Sequence, residues 1–329
     1  MKLSQSIQLF LLDKQVAGCS PNTLRNYTLT LRRLTAHLDG DPQLADITAE
    51  QIRGFLRQLM TTRIAPAGIA KRPARTLSAK TIRNIHTCLS SLWTWAIKEG
   101  YAADHIVQRV DAPEPEPPVV EPLSRDQVKQ LLNATAFSAP WERSPDTQTE
   151  LPARRALRDR AILLFLLDTG VRVGELCKLC IADVDISAGT ATVSSKGRLN
   201  TGAGKKRLVR FSPRTAKLLA RYLIARDATG YRDRAQHLFV DRDDRPFDRR
   251  YLAKHLHRLG RRAGLNNIHA HRFRHTFAIN FLRNGGNIYA LQDLLGHTSL
   301  EMVRRYARLA EVDIAEAHRR ASVVTNWNL

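Results

Sequence analysis

Residues 113–122 read Pro-Glu-Pro-Glu-Pro-Pro-Val-Val-Glu-Pro and hold five of the chain's 14 prolines. Proline fixes φ and removes a backbone donor, so a run this dense sustains neither a helix nor a central strand. It settles instead into extended polyproline geometry and acts as a semi-rigid linker. The reading that follows is two domains, residues 1–110 and 123–329, joined by the Pro/Glu segment 111–122. Two is also what a chain of 329 residues suggests at about 100–200 residues per domain.

Charge is distributed in the same three blocks. The formal net charge of +21 divides into +8 over residues 1–110, −4 over 111–122 and +17 over 123–329. Two basic lobes on either side of an acidic connection fit a polyanion held by both lobes better than a membrane surface, since no basic amphipathic helix with a bulky apolar face is evident. With 43% apolar and 25% charged residues the chain has the composition of a soluble globular protein. No apolar run approaches the roughly 18 residues that cross a bilayer, and residues 1–17 lack the order of a signal peptide, so a cytoplasmic, nucleoid-associated location is expected.

The lobe before the linker reads as an all-helical bundle of about four helices. Ser20 and Pro21 open a helix whose apolar positions, Leu24, Tyr27, Leu31, Leu34 and Leu38, keep a three-four spacing up to Gly40. Thr48 and Gln51 form a capping-box pattern before Ile52, Phe55, Leu56 and Leu59, and Ser78 opens a further helix ended by Gly100. Ile7, Phe10 and Leu11 mark another helix at the start. The outward faces carry Arg25, Arg32, Arg33, Arg53, Arg57, Lys80 and Arg83, which are expected to meet a DNA backbone.

The lobe after the linker mixes helices with a small β element. Another capping box, Ser124 to Gln127, starts it; residues 138–155 look like an irregular insertion; an apolar helix then spans 156–168 and stops at Thr169-Gly170. A short helix carries Arg172, Glu175, Leu176 and Leu179. Cys177 and Cys180 have zinc-ligand spacing, but no second pair follows, and small buried thiols on that helix are the favoured reading. Strands at about 190–195 and 206–211 flank a glycine-rich basic tip containing Lys196, Arg198 and Lys205. Helices resume over 213–228, 248–263, 271–283, 287–295 and 299–306, and residues 311–320 look like a short terminal helix. The fold class is therefore mainly α with a small antiparallel β-sheet.

Residues 269–275, His-Ala-His-Arg-Phe-Arg-His, place three imidazoles and two guanidiniums on seven positions. On a helix, positions 271, 274 and 275 share a face. A metal site would not recruit a guanidinium, which donates no electron pair and repels a cation. An anion site would, because the planar fork holds two phosphate oxygens and imidazole can hold or pass a proton. No metal and no other cofactor is expected.

With these segments in view the chain resembles the tyrosine recombinase, or phage integrase, family. It has Thr169-Gly170-Val171-Arg172-Val173-Gly174-Glu175-Leu176, then Ser195-Lys196-Gly197-Arg198, then His271-Arg272-Phe273-Arg274-His275, then Leu294-Leu295-Gly296-His297, and Tyr306 nine positions after that histidine. The order and residue types match the family's Arg, Lys, His-x-x-Arg, His and Tyr segments across residues 169–306. The resemblance implies a SAM-like helical core-binding domain followed by an α+β catalytic domain, clamping double-stranded DNA with specific recombination sites.

It also implies roles. Tyr306 would attack a scissile phosphate to give a 3′-phosphotyrosyl intermediate, with Arg172 and Arg274 stabilising the charge that grows on the phosphoryl oxygens. Lys196 would protonate the leaving 5′-oxygen, although Lys205 and Lys206 compete for that role. His271 would assist proton transfer at the tyrosine, His297 would donate to a phosphate oxygen, and Glu175 would support the site. His275 is expected to be a structural partner, and His255, His257 and His269 surface or packing residues. The family works as a homo-tetramer on paired sites, with monomer or dimer expected free in solution. The alternatives are a type IB topoisomerase, which reseals the same strand, a non-catalytic DNA-binding relative, and a metal-dependent nuclease, for which clustered carboxylates are not evident.

Overall fold

The computed structural model describes residues 1–63, 76–116, 121–137, 152–195, 206–227, 236–241, 243–297, 299–310 and the isolated positions 318, 322, 324 and 327. They fall into two compact units, one holding the described residues up to Glu116 and the other those from Glu121 onward.

The first unit is built from α1 (Leu3–Val16), α2 (Pro21–His37), α3 (Ala49–Thr61) and α4 (Ala79–Lys98), with 3-10 turns at Leu44–Asp46 and Ile106–Arg109. Local chemistry sets the starts. Ser20, Thr48 and Ser78 each accept a backbone N–H three residues on, and Thr48 shares a reciprocal capping box with Gln51. The three-four stripes then meet in one core containing Phe10, Leu31, Leu34, Ile52, Phe55 and Trp93. Phe10 packs edge-on against Tyr27 and Trp95, with ring centroids 5.2 and 5.8 Å away. Arg25, Arg32, Arg33, Arg53, Arg57, Lys80 and Arg83 are all exposed, on the faces opposite this core.

The second unit contains α5 (Arg125–Ala134), α6 (Ala153–Thr169), the single turn α7 (Val173–Leu176), strands β1 (Val184–Asp185), β2 (Thr190–Ser194) and β3 (Lys206–Arg210), then α8 (Pro213–Asp227), α9 (Arg249–Arg262), α10 (Ala270–Arg283), α11 (Ile288–Leu295) and α12 (Glu301–Ala310). The sheet is antiparallel in the order β1-β2-β3, with Ala191 opposite Val209 and Val193 opposite Arg207. Its inward residues Ala191, Val193 and Val209 join Ile162, Phe165 and Leu166 of α6 in the main core. A separate apolar cluster joins α10, α11 and α12 through Ala278, Ile279, Leu282, Leu291, Leu295 and Val303.

Several local expectations are corrected here. Helix α6 begins at Ala153, inside the segment read as an irregular insertion over 138–155. Ala153, Arg154 and Arg155 are strong helix formers, but they carry no apolar periodicity to announce a helix. Residues 138–151 lie outside the described ones. The helix expected to run from Arg172 through Leu179 is only the turn α7, because the chain leaves it to pair elsewhere. Leu179 O accepts from Leu238 N, Ile181 N donates to Gln236 O, and Cys180 bridges His237. Cys177 is buried and Cys180 half-buried, neither is joined in a disulfide, and they do not share a helix. His269 is an N-cap, its Nδ1 accepting from Arg272 N at 3.3 Å. Strand β1, only two residues long, was too short to show an alternation.

Candidate active site

The second unit brings four arginine-rich or histidine-rich segments to one place, beginning at the end of α6. Gly170 closes that helix in the left-handed region at φ +59°, a conformation that a Cβ disfavours. An added Cβ would also run into the Phe277 ring. The turn aims the Gly170 carbonyl at Arg274, whose Nη1 donates to it at 2.8 Å, and two residues on it places Arg172. The Arg172 amide donates to Glu175 Oε2 at 2.8 Å and its Nη1 to Glu175 Oε1 at 3.0 Å.

Glu175 is buried, and the group that makes this tolerable is Arg207 on β3. Its Nη1 and Nη2 reach the two carboxylate oxygens at 2.9 and 2.8 Å, a bidentate fork. Burial by itself pushes the carboxyl up, but the Arg207 hydrogen bonds, the Arg172 amide and the two guanidinium charges together hold it below the usual carboxylate value.

The C-terminal end of α11 then collects the arginines. A helix end leaves its last carbonyls without intrahelical donors and carries partial negative charge. Here Leu294 O accepts from Arg207 Nε at 2.7 Å, Leu295 O from Arg274 Nη2 at 2.7 Å and Gly296 O from Arg172 Nη2 at 3.5 Å. Three successive carbonyls thus hold guanidiniums from three different elements. Gly296 takes the left-handed cap at φ +62° and turns His297 back toward the group. His297 Nε2 lies 2.7 Å from Arg274 Nη2. Because arginine only donates, that nitrogen is bare and the proton sits on Nδ1, which is buried and without a hydrogen-bond partner among the described residues. Burial first, and then the charges of Arg274 and Arg172, push His297 down to about 4. Arg274, 1% exposed, is itself lowered to about 10 by burial and then by Arg172.

Tyr306 completes the cluster from α12. With Val303 and Ala310 it forms the buried face of that helix, at 5% exposure, against α10 and α11. Its ring stacks on His297, with centroids 6.3 Å apart at 13°. Its hydroxyl lies 2.8 Å from His275 Nδ1. Burial raises the phenol, while Arg274, Arg305 and Arg172 pull the other way; burial prevails. His271, one turn before His275, has its ring centroid 4.2 Å from that of His275. Burial and then Arg274 lower His271.

Arg172, Glu175, His271, Arg274, His297 and Tyr306 are therefore brought together from the turn between α6 and α7, from α7 and α10, from the turn after α11 and from α12. Lys196, Arg198 and Lys205 lie outside the described residues, while Arg25, Arg32, Arg33, Lys80 and Arg83 belong to the first unit. Arg207 escaped the sequence reading, and His275 entered it only as a structural partner. Arg207 could have been found from its register: it shares the inward side of β3 with buried Val209, and an inward cation needs a counter-charge. His275 was read as a structural partner, and it is the residue that meets the tyrosine hydroxyl. Three guanidiniums against one carboxylate leave the pocket cationic, and the histidines with lowered pKa are neutral near pH 7 and can accept protons. Such an arrangement can hold a phosphate diester, stabilise added negative charge on it and deliver a phenol oxygen to it. Among the described residues no three His, Cys, Asp or Glu side chains are grouped to hold a metal ion.

The pattern of the phage integrase family matches residues 121–312, and that of its N-terminal SAM-like domain matches residues 7–103. The chain is 31% identical to tyrosine recombinase XerC of Rhodospirillum centenum, covering 88% of this chain and 78% of the relative. It is 28% identical to tyrosine recombinase XerC of Corynebacterium efficiens over 93% of this chain and 87% of the relative. Among solved structures it is similar in fold to the Tn1549 transposon integrase in complex with transposon right end DNA, with a TM-score of 0.72 at 18% identity over 98% of this chain and all of that one.

Proposed function

Because the chain belongs to the phage integrase family of tyrosine recombinases and is a site-specific DNA strand transferase, we propose that Tyr306 is the nucleophile with which it cuts and rejoins its sites. The observation that carries this is the position of the phenol, buried among Arg274, His275 and His297 at the edge of the arginine cluster. Attack at the scissile phosphorus yields a 3′-phosphotyrosyl ester and a free 5′-hydroxyl. The ester conserves the bond energy, so a 5′-hydroxyl from a second duplex can reverse the step and exchange strands. The type IB topoisomerase alternative draws no support from the relatives named above.

Arg172 and Arg274 stabilise the two non-bridging oxygens as the phosphorus becomes five-coordinate. Glu175 acts on them indirectly, by orienting Arg172 and tying it to Arg207. His297 donates a hydrogen bond to a phosphate oxygen, His271 assists the onward transfer of the tyrosine's proton, and Lys196 protonates the leaving oxygen. The exposed cations Arg25, Arg32, Arg33, Lys80 and Arg83, together with Arg198 and Lys205, meet the DNA backbone. Residues 1–110 form the core-binding domain, 111–122 the linker and 123–329 the catalytic domain, and a tetramer assembles on two paired double-stranded sites.

The test is a nicked duplex taken from inverted repeats in the DNA flanking the protein's own reading frame, incubated in chelator and resolved under denaturing conditions. Wild-type protein gives a covalent adduct and Tyr306→Phe gives none. Full adduct with the phenylalanine variant would overturn the assignment.

A further inference from the structure

We propose that His275 accepts the Tyr306 phenol proton as the tyrosine attacks, and is thereby a catalytic residue of the strand-cleavage step. The inference rests on the assignment of Tyr306 as nucleophile and adds the identity of its base.

A general base must lie within hydrogen-bonding reach of the proton it takes, and geometry is the first criterion. His275 Nδ1 stands 2.8 Å from the Tyr306 hydroxyl. His271 occupies the neighbouring helical position at the exposed side of the same face, and its ring meets that of His275 edge-on at 4.2 Å rather than the phenol. His297 lies flat against the tyrosine ring and its Nε2 is engaged by Arg274. Of the three imidazoles, His275 alone holds the reacting oxygen.

The surroundings keep the base in its working form. His275 faces His271, His269 and Arg274 on its own helix and Tyr306 and Arg305 on α12. Burial, followed by His271 and Arg305, pushes it down to about 4, so the ring is neutral at neutral pH. With its proton on Nε2, Nδ1 is free to accept from the phenol. A phosphate diester bound in the cluster adds negative charge among these cations and so favours the protonated imidazole during attack.

The step balances without a metal ion. The Oη–H bond of Tyr306 breaks and its proton passes to His275 Nδ1, while the oxygen's electron pair forms the new bond to phosphorus. The bond from phosphorus to the 5′-oxygen breaks, and that oxygen leaves with a proton from the site's general acid. Religation runs the same transfers backward, His275 returning the proton to the phenol.

The experiment compares adduct formation on the nicked duplex for His275→Ala, His275→Asn, His271→Ala and Tyr306→Phe, with DNA binding measured in parallel. Asparagine keeps a polar group near the position of Nδ1 and holds the helix, but takes no proton. Both His275 variants are expected to bind DNA and to form adduct on the order of 10²-fold more slowly, the usual contribution of a general base. A fluorinated, more acidic tyrosine placed at Tyr306 is expected to restore much of the rate in the His275→Ala background. A wild-type rate with either His275 variant, or a slow rate that the acidic phenol leaves unchanged, would overturn the proposal. Restoration confined to His271→Ala would overturn it also and assign the base to His271. Adduct formed by Tyr306→Phe would instead remove Tyr306 itself as nucleophile, so failure of the underlying reading is distinguishable from failure of this one.

Discussion

Glu175 and Arg207 show what one misplaced charge would do. Both side chains are nearly buried, at 5% and 9% exposure, and removing one member of a buried pair strands the other. Arg207→Ala is therefore expected to cost about 3–5 kcal/mol in urea unfolding, more than truncation of an exposed arginine such as Arg83. Acid acts on the same groups. His275 and His297 have been pushed from 6.5 to about 4, so between those values the unfolded chain binds more protons than the folded one. Their stabilising contribution is complete above pH 6.5 and is lost as pH falls toward about 4. Glu175, held below 4.5, contributes above that value and loses its share as pH falls through its folded value. Urea midpoints followed from neutrality downward are expected to fall, and to fall less steeply for His297→Gln. At this scale the sequence revealed residue types and spacing, which single out Arg172, Arg274 and Tyr306 as candidates. It could not reveal that the tyrosine hydroxyl would meet His275, because that contact depends on how far α12 slides along α10.

The elements contribute by where they end. Gly170 and Gly296 are both left-handed caps, and each exposes a carbonyl to an arginine of the site. Gly170→Ala is expected to lose about 1–2 kcal/mol to the left-handed conformation alone, with more from displacement of Phe277. Thermal melting reads the loss, and adduct formation should fall further than DNA binding as the Arg274 acceptor moves. Helix starts were legible in the sequence where a single short-range interaction decides them: Ser20, Thr48, Ser78 and Ser124 all cap as read. The region after Arg172 was not, because Leu179 O and Ile181 N bond to Leu238 and Gln236, outside any local window.

For the whole molecule the governing quantity is charge. A net charge of +21, with exposed cations on the helical first unit, makes binding of a polyanion depend steeply on salt. If Arg32 and Arg33 each meet a phosphate, the double variant Arg32→Ala with Arg33→Ala lowers the slope of log K against log salt by about 2. An unchanged slope would remove the outer face of α2 from the DNA footprint. The sequence by itself determined the helical character of both units, the antiparallel hairpin strands, the order of the Arg, His and Tyr segments and the family those segments mark. These follow from periodicity, capping and residue identity, which are properties of neighbours along the chain. Tertiary structure alone decided that the end of α11 gathers three arginines, that Arg207 neutralises Glu175 and that His275 holds the tyrosine. The Arg172–Gly296, Arg207–Glu175 and His275–Tyr306 contacts join residues 124, 32 and 31 positions apart, and only the packing of α10, α11 and α12 against one another and against β3 brings them within hydrogen-bonding reach.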